Sequence, residues 1–154
     1  MLYAHVVAAV EGFLASTFIA KTLSSNTYIQ ALVESDPEFG RRTFTVKEIF
    51  SKHARLHEEI GTYLKDLIFH KLDKVKPMYR DVFAIDFGDI EWLFKAVKVR
   101  HDCVHRAGHD KEGVELKLTA QDVHDLVAEC KNLVHKVDAE IVSLQELDLV
   151  KVDF

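Results

Sequence analysis

The sequence is short of everything that staples a chain covalently or gives it bulk positive charge. It has two cysteines, two prolines and six glycines in 154 residues. The cysteines, Cys103 and Cys130, form no CxxC and no zinc-ligand spacing. That excludes a secreted disulfide scaffold and leaves two reduced, partly buried thiols. The formal net charge is -5 and the isoelectric point is near 6.0. Such a chain does not coat itself in nucleic acid through bulk charge, so a nucleic-acid partner needs a local basic patch. Residues 1–20 lack a basic leader, and His5 and Glu11 interrupt their apolar run. This argues against a secretory signal and against a membrane span, and the expected compartment is the cytoplasm.

What is present suits one globular domain covering residues 1–154. The 48% hydrophobic and 29% charged content is ordinary for a folded protein. A chain of this length buries roughly 68–70% of its unfolded surface, enough for a core without disulfides or a structural metal. There are no internal repeats and no low-complexity linkers.

Apolar residues recur at helical spacing in four long stretches. The first covers residues 2–23, with Val6, Val10, Phe13 and Thr17 along one side. A short helical piece is expected near residues 28–33, and residues 34–43, with Pro37 and Gly40, read as loop. The second long helix opens at Thr45, whose spacing to Glu48 fits a capping box. Its seam is Val46, Ile49, His53, Leu56, Ile60, Tyr63 and Leu67. Pro77 is expected to interrupt the pattern, with a shorter helix over residues 77–84. The third long helix follows Asp86 and runs to about Arg106, where Gly108 suits a left-handed turn. Residues 114–118 alternate like a short extended arm. The last helix opens at Thr119, with Asp122 three residues on, and runs to about Leu147 along Val123, Leu126, Cys130, Leu133, Val137, Ile141 and Leu144. No strand signal competes. The expected fold is all-α, an up-and-down bundle of four long helices plus one or two short ones.

The third helix breaks the pattern of its neighbours. With 100° per residue and Arg100 at zero, Leu93, Val104, Val97 and Ile90 fall on one side within about 80°, and Ala96, Cys103 and Trp92 on the other. Glu91, Lys95, Lys98, Asp102 and Arg106 take the opposite face. Arg100 therefore sits inside an apolar arc, with His101 and His105 at its edge beside Phe94. An unpaired guanidinium is costly to bury. Three arrangements resolve this: a pair with a buried acid such as Glu11, a cleft open to water, or a joint with a second subunit.

The run Arg100-His101-Asp102-Cys103-Val104-His105, followed by Arg106-Ala107-Gly108, resembles the Arg-x4-His motif of the HEPN superfamily. There a polar residue commonly follows the arginine, an aliphatic residue precedes the histidine, and a glycine comes shortly after. His101 stands where asparagine or aspartate is commoner. Residues 6–18, with Glu11, resemble the family's first helix, and the helix after Thr119 fits its return helix.

The resemblance implies a HEPN-type endoribonuclease or toxin-like domain. In it Arg100 and His105 of two subunits meet across a two-fold axis and cut single-stranded RNA without metal or other cofactor, by attack of the 2′-OH. A toxin or phage-defence setting with an antitoxin partner follows from the same resemblance. Histidine can accept or donate the proton near neutral pH, and arginine clamps phosphate oxygens. Arg100 and His105 lie about 140° apart on a helix, so they would straddle a phosphodiester. His101 and Asp102 are supporting candidates, although Asp102, four residues from Lys98 and Arg106, also suits surface ion pairing. Lys98, Arg106 and His109 are candidate phosphate contacts, with Lys95 and Lys111 nearby; Arg41 and Arg42 could add phosphate contacts but read first as a solvated loop. The i, i+4 spacing of His101, His105 and His109 could serve zinc, but Gly108 separates His109 from the helix and there is no HExxH, so no metal site is expected. His53 and His70 read as core or interface histidines. The rival reading is a non-catalytic HEPN-like binding module, a partner of a nucleotidyltransferase-like protein.

Overall fold

The computed structural model describes residues 2–67, 69 and 71–152; His70 lies outside the described residues. Seven α-helices and no strand occur among them: α1 Leu2–Leu23, α2 Asn26–Ser35, α3 Pro37–Gly40, α4 Ile49–Asp66, α5 Leu72–Phe83, α6 Glu91–His105 and α7 Ala120–Val152. The fold is all-α, and α1, α4, α6 and α7 are the four long helices that the apolar periodicity predicts. The chain divides into two compact units, Leu14–Asp86 and the pair of segments Met1–Phe13 and Phe87–Phe154.

Helix α1 contributes to both units. It is long and apolar enough to cross a membrane by length and composition, with a mean hydropathy of 1.5. Its buried line runs through Val7, Val10, Leu14 and Phe18. Of the expected line, Val10 is buried, while Val6, Phe13 and Thr17 are only half-buried. Apolar residues lie on nearly every side of α1, so spacing alone does not choose the face.

The unit Leu14–Asp86 is built around aromatic rings. Phe18 meets Tyr79 at 5.2 Å and Phe83 at 5.0 Å between centroids, and Tyr28 meets Phe83 edge-on at 5.2 Å. The buried Tyr79 hydroxyl donates to the Leu14 carbonyl at 2.7 Å, which removes the penalty of burying it. Burial raises the Tyr79 hydroxyl far above the ordinary tyrosine range.

Pro77 does not interrupt the chain as expected; it lies inside α5. Its ring removes one helical hydrogen bond, at a cost of about 3 kcal/mol. Leu72, Val75, Met78, Tyr79, Val82 and Phe83 are all buried along the same helix. Each such side chain contributes about 1.5–3 kcal/mol, so their burial outweighs the break.

Residues 34–43 also hold more helix than expected. Asp36 caps α3 by accepting from the Glu38 N–H at 2.9 Å, and Pro37 occupies the first turn. At Thr45 the Glu48 carboxylate accepts from the Thr45 N–H at 2.9 Å and from its hydroxyl at 2.7 Å. A 3-10 turn, Val46–Glu48, then leads into α4. Of the seam expected along α4 only Ile60 is buried, while Leu56, Tyr63 and Leu67 are half-buried; Gly61 and Leu64, outside that seam, are buried beside Ile60. Val46, Ile49 and Phe50 are exposed, and so is His53.

In the other unit α6 starts at Glu91, later than the Asp86 cap predicts, and Asp89 accepts from the Glu91 N–H at 3.0 Å. The delay follows from Ala84 and Gly88, whose positive φ values of 57° and 73° keep the intervening chain out of a helix. Helix α7 opens on a complete capping box. The Thr119 hydroxyl accepts from the Asp122 N–H at 3.2 Å, and the Asp122 carboxylate accepts from the Thr119 N–H at 2.7 Å. Leu126, Cys130, Leu133, Val137 and Ile141 are buried as the stripe predicts. The helix continues to Val152 rather than ending near Leu147. Residues 114–118 form no strand; a single antiparallel bridge joins His109 to Glu115.

Candidate functional site on the third long helix

Helix α6 carries the candidate residues, and its burial changes along its length. Leu93 and Ala96, in its first half, are buried at 1% and 0% exposure. About two turns after Ala96, Cys103 is only half-buried and Val104 is 57% exposed. The arc that the wheel draws as apolar is thus covered at one end and open at the other. Arg100 stands at the change.

The Arg100 guanidinium lies against Glu11 of α1, with Nη2 to Oε2 at 3.8 Å and side-chain exposures of 25% and 12%. Of the three arrangements that resolve a guanidinium in an apolar arc, the acid pair is present. The guanidinium is not sealed by it, because a quarter of the side chain still meets water.

His101 and His105 are both exposed, and their rings approach to 4.6 Å between centroids. One helical turn places them over each other. Phe94, 44% exposed, stands on the same side of the helix. Val104, expected in the buried arc, is exposed instead.

Asp102 departs from its expected surface role. It is 3% exposed, and its carboxylate is ion-paired with Arg106. The Asp102 carbonyl also accepts from the Arg106 N–H at 3.0 Å and the Gly108 N–H at 3.2 Å. The helix end thus turns back over Asp102 through Ala107 and Gly108, at φ 51° and 84°. A wheel drawn for a straight helix does not register this folding-back. Arg106, expected at phosphate, is committed to Asp102. His109 is exposed, with Nδ1 3.3 Å from the Arg106 carbonyl oxygen. Lys98 is exposed on the face that His105 shares.

The structure therefore brings His101 to His105, Arg106 to Asp102 and Arg100 to Glu11, three separate pairings along one helix. Within one copy Arg100 and His105 are not a contacting pair. Among the described residues no group of three or more His, Cys, Asp or Glu side chains is arranged to hold a metal ion. The arrangement offers exposed imidazoles that can exchange protons with a ligand, and a cation oriented by a carboxylate beside them. Compared with protein-family models, with curated proteins and with solved structures, the chain shows no match.

Proposed function

We propose that the protein is a metal-independent endoribonuclease of HEPN type, with a composite site formed where the α6 helices of two copies meet. The observation that carries this reading is the exposed His101–His105 pair next to a half-open Arg100, on a helix that also exposes Phe94 and Val104. Exposed apolar side chains of this size, beside functional polar groups, are what an association surface needs.

The chemistry follows from the groups. A histidine takes the proton of a ribose 2′-OH as its oxygen attacks phosphorus. A second histidine, from the other copy, gives a proton to the departing 5′-oxygen. Arg100 clamps the non-bridging oxygens as negative charge grows on them, oriented beforehand by Glu11. The products are a 2′,3′-cyclic phosphate and a 5′-hydroxyl. DNA, without the 2′-OH, is inert.

The test is cleavage of single-stranded RNA in the presence of a chelator, with analysis of the product ends. Cutting by the parent, lost in His105→Ala, supports the reading. Cutting that stops with chelator and returns with magnesium or manganese overturns it, as does a His105→Ala variant that cuts like the parent. The Arg100–Glu11 pair favours a second reading, because a neutralised arginine offers less to phosphate. In that reading the protein is a non-catalytic module that binds a nucleotidyltransferase-like or antitoxin partner, and the parent cuts nothing.

A further inference from the structure

A cavity of about 470 Å³ opens in the unit Leu14–Asp86, among α2, α3 and α5. It shares no residue with the α6 site. Pro37, Pro77 and Met78 give it apolar walls. Its floor is a fixed polar network. The Asp36 carboxylate, with side-chain exposure of only 2%, accepts from the Tyr63 hydroxyl at 2.7 Å and from the Glu38 N–H at 2.9 Å. Lys74 donates to the Tyr63 oxygen at 2.6 Å and lies 3.9 Å from Asp36. Burial, reinforced by the bond to Asp36, raises the Tyr63 hydroxyl well above its ordinary range, so Tyr63 remains a donor at neutral pH.

Six charged side chains line this cavity, and four are neutralised locally. Asp36 and Lys74 hold each other through Tyr63. Glu38 faces Arg42 at 3.5 Å, and Asp81 is held by Arg80 at 2.7 Å. The remaining two, Arg41 and Asp73, line the same cavity, are exposed to solvent, and have no ion-pair or hydrogen-bond partner for their side chains among the described residues. They are opposite in sign, yet they do not pair with each other. Pro77 adds a further acceptor: it has no N–H, so the Asp73 carbonyl loses the helical donor it would otherwise have. A cavity of this size with apolar walls and a few oriented polar groups is the usual form of a small-molecule site.

We infer that this cavity binds a small zwitterion, an α-amino acid with an apolar side chain. Arg41 takes the carboxylate, Asp73 with its carbonyl takes the ammonium, and Pro37, Pro77 and Met78 receive the side chain. Bidentate geometry suits the guanidinium to a carboxylate. Both side chains are exposed, so water solvates them in the free protein and the ligand's two charges replace that water.

The test is titration of the full chain with L-leucine, followed by amide NMR shifts and calorimetry. Saturable binding in the millimolar range or tighter is expected, with shifts confined to α2, α3 and α5. Isoamylamine, which lacks the carboxylate, and 4-methylpentanoate, which lacks the ammonium, each bind at least about tenfold more weakly. Arg41→Gln and Asp73→Asn weaken L-leucine by a similar factor, while Arg41→Lys and Asp73→Glu retain most of the binding. Leucyl-leucine, titrated alongside, distinguishes a free amino acid from a peptide end carrying the same charges. The proposal is overturned if L-leucine and leucyl-leucine both fail to saturate. It is also overturned if the single-charge analogues bind as well as L-leucine, or if the neutralising variants bind like the parent. RNA cleavage is read separately, so the two proposals stand or fall independently.

Discussion

Arg100 of α6 and Glu11 of α1 form an ion pair at 3.8 Å, one partner a quarter exposed and the other nearly enclosed. This pair decides how the α6 site can be tested. An arginine that is both a structural partner and a phosphate clamp gives an ambiguous result on truncation, since lost activity can reflect lost folding.

Arg100→Ala should therefore destabilise the fold by about 1–3 kcal/mol, because it removes the guanidinium that lies against the nearly enclosed Glu11 carboxylate. Arg100→Lys should cost less, since it keeps the charge while losing the fork. Urea unfolding of the two variants and the parent measures the difference. An Arg100→Ala variant as stable as the parent would mean that the pair contributes nothing to the fold.

Association along α6 makes a second expectation. Val104 and Phe94 are exposed at 57% and 44%, so Val104→Asp and Phe94→Asp should change folding stability by less than about 0.5 kcal/mol. Both should convert a dimer at micromolar concentration to a monomer, as read by sedimentation, with an unchanged helical spectrum. A parent that sediments as a monomer removes the composite site.

Much of the fold was legible in the sequence, and the failures have identifiable causes. The α7 stripe read correctly because polar residues mark its other faces. On α1 the same reasoning places Val10 correctly but not the rest of the line, since Val6, Val7, Phe13 and Leu14 are interchangeable by spacing. Pro77 reads as a boundary by the rule for proline, which counts one lost hydrogen bond and not the six side chains buried along the same helix. On α6 the Arg100–Glu11 pair is one of the three arrangements that the sequence allows. A wheel treats every turn as covered alike, and so puts Val104 and Asp102 each on the wrong side. Asp102 is enclosed by the turn after His105, a tertiary feature signalled only by Gly108. The cavity beside Asp73 gave no sequence signal, because it is lined from three separate helices.

The start of α7 should respond to acid. The Thr119 side chain and N–H hold the Asp122 carboxylate below its ordinary range. A lowered carboxyl value in the folded state stabilises at pH above the ordinary aspartate value, and that contribution is lost as the pH falls through the lowered one. First-turn amides of α7 should exchange faster on acidification through that window, and Asp122→Asn should flatten the response. An unchanged pH profile in Asp122→Asn would mean that the capping carboxylate does not set it.

The two thiols should differ in reactivity. Burial pushes Cys130 up to about 11, with Glu129 adding to the shift. At mildly alkaline pH it is a protected thiol, not a thiolate. Iodoacetamide should modify the half-buried Cys103 first and reach Cys130 only after denaturation. Mass spectrometry of partly labelled protein decides it, and early labelling at Cys130 would show that α7 opens readily there.

The two histidines of α6 should separate into a proton-transfer group and a positioning group. If His105 exchanges the proton, His105→Ala should slow RNA cleavage by about 10²–10⁴-fold, the usual range for a lost general acid or base. His101 lies against the His105 ring at 4.6 Å and is outside the matched Arg100-to-His105 pair. Its contribution is then to hold that ring in place, and His101→Ala should cost less than His105→Ala. A flat aromatic ring can supply the same packing without any proton chemistry, so His101→Phe should recover most of the rate lost in His101→Ala. No such recovery is available to His105→Phe, which keeps the ring and loses the nitrogen atoms. Single-turnover cleavage of one short RNA by the four variants makes the comparison directly. If His101→Phe is as slow as His105→Phe, both imidazoles take part in proton transfer and His101 is not merely a platform. If His101→Ala is the slower of the two alanine variants, the motif assignment moves from His105 to His101.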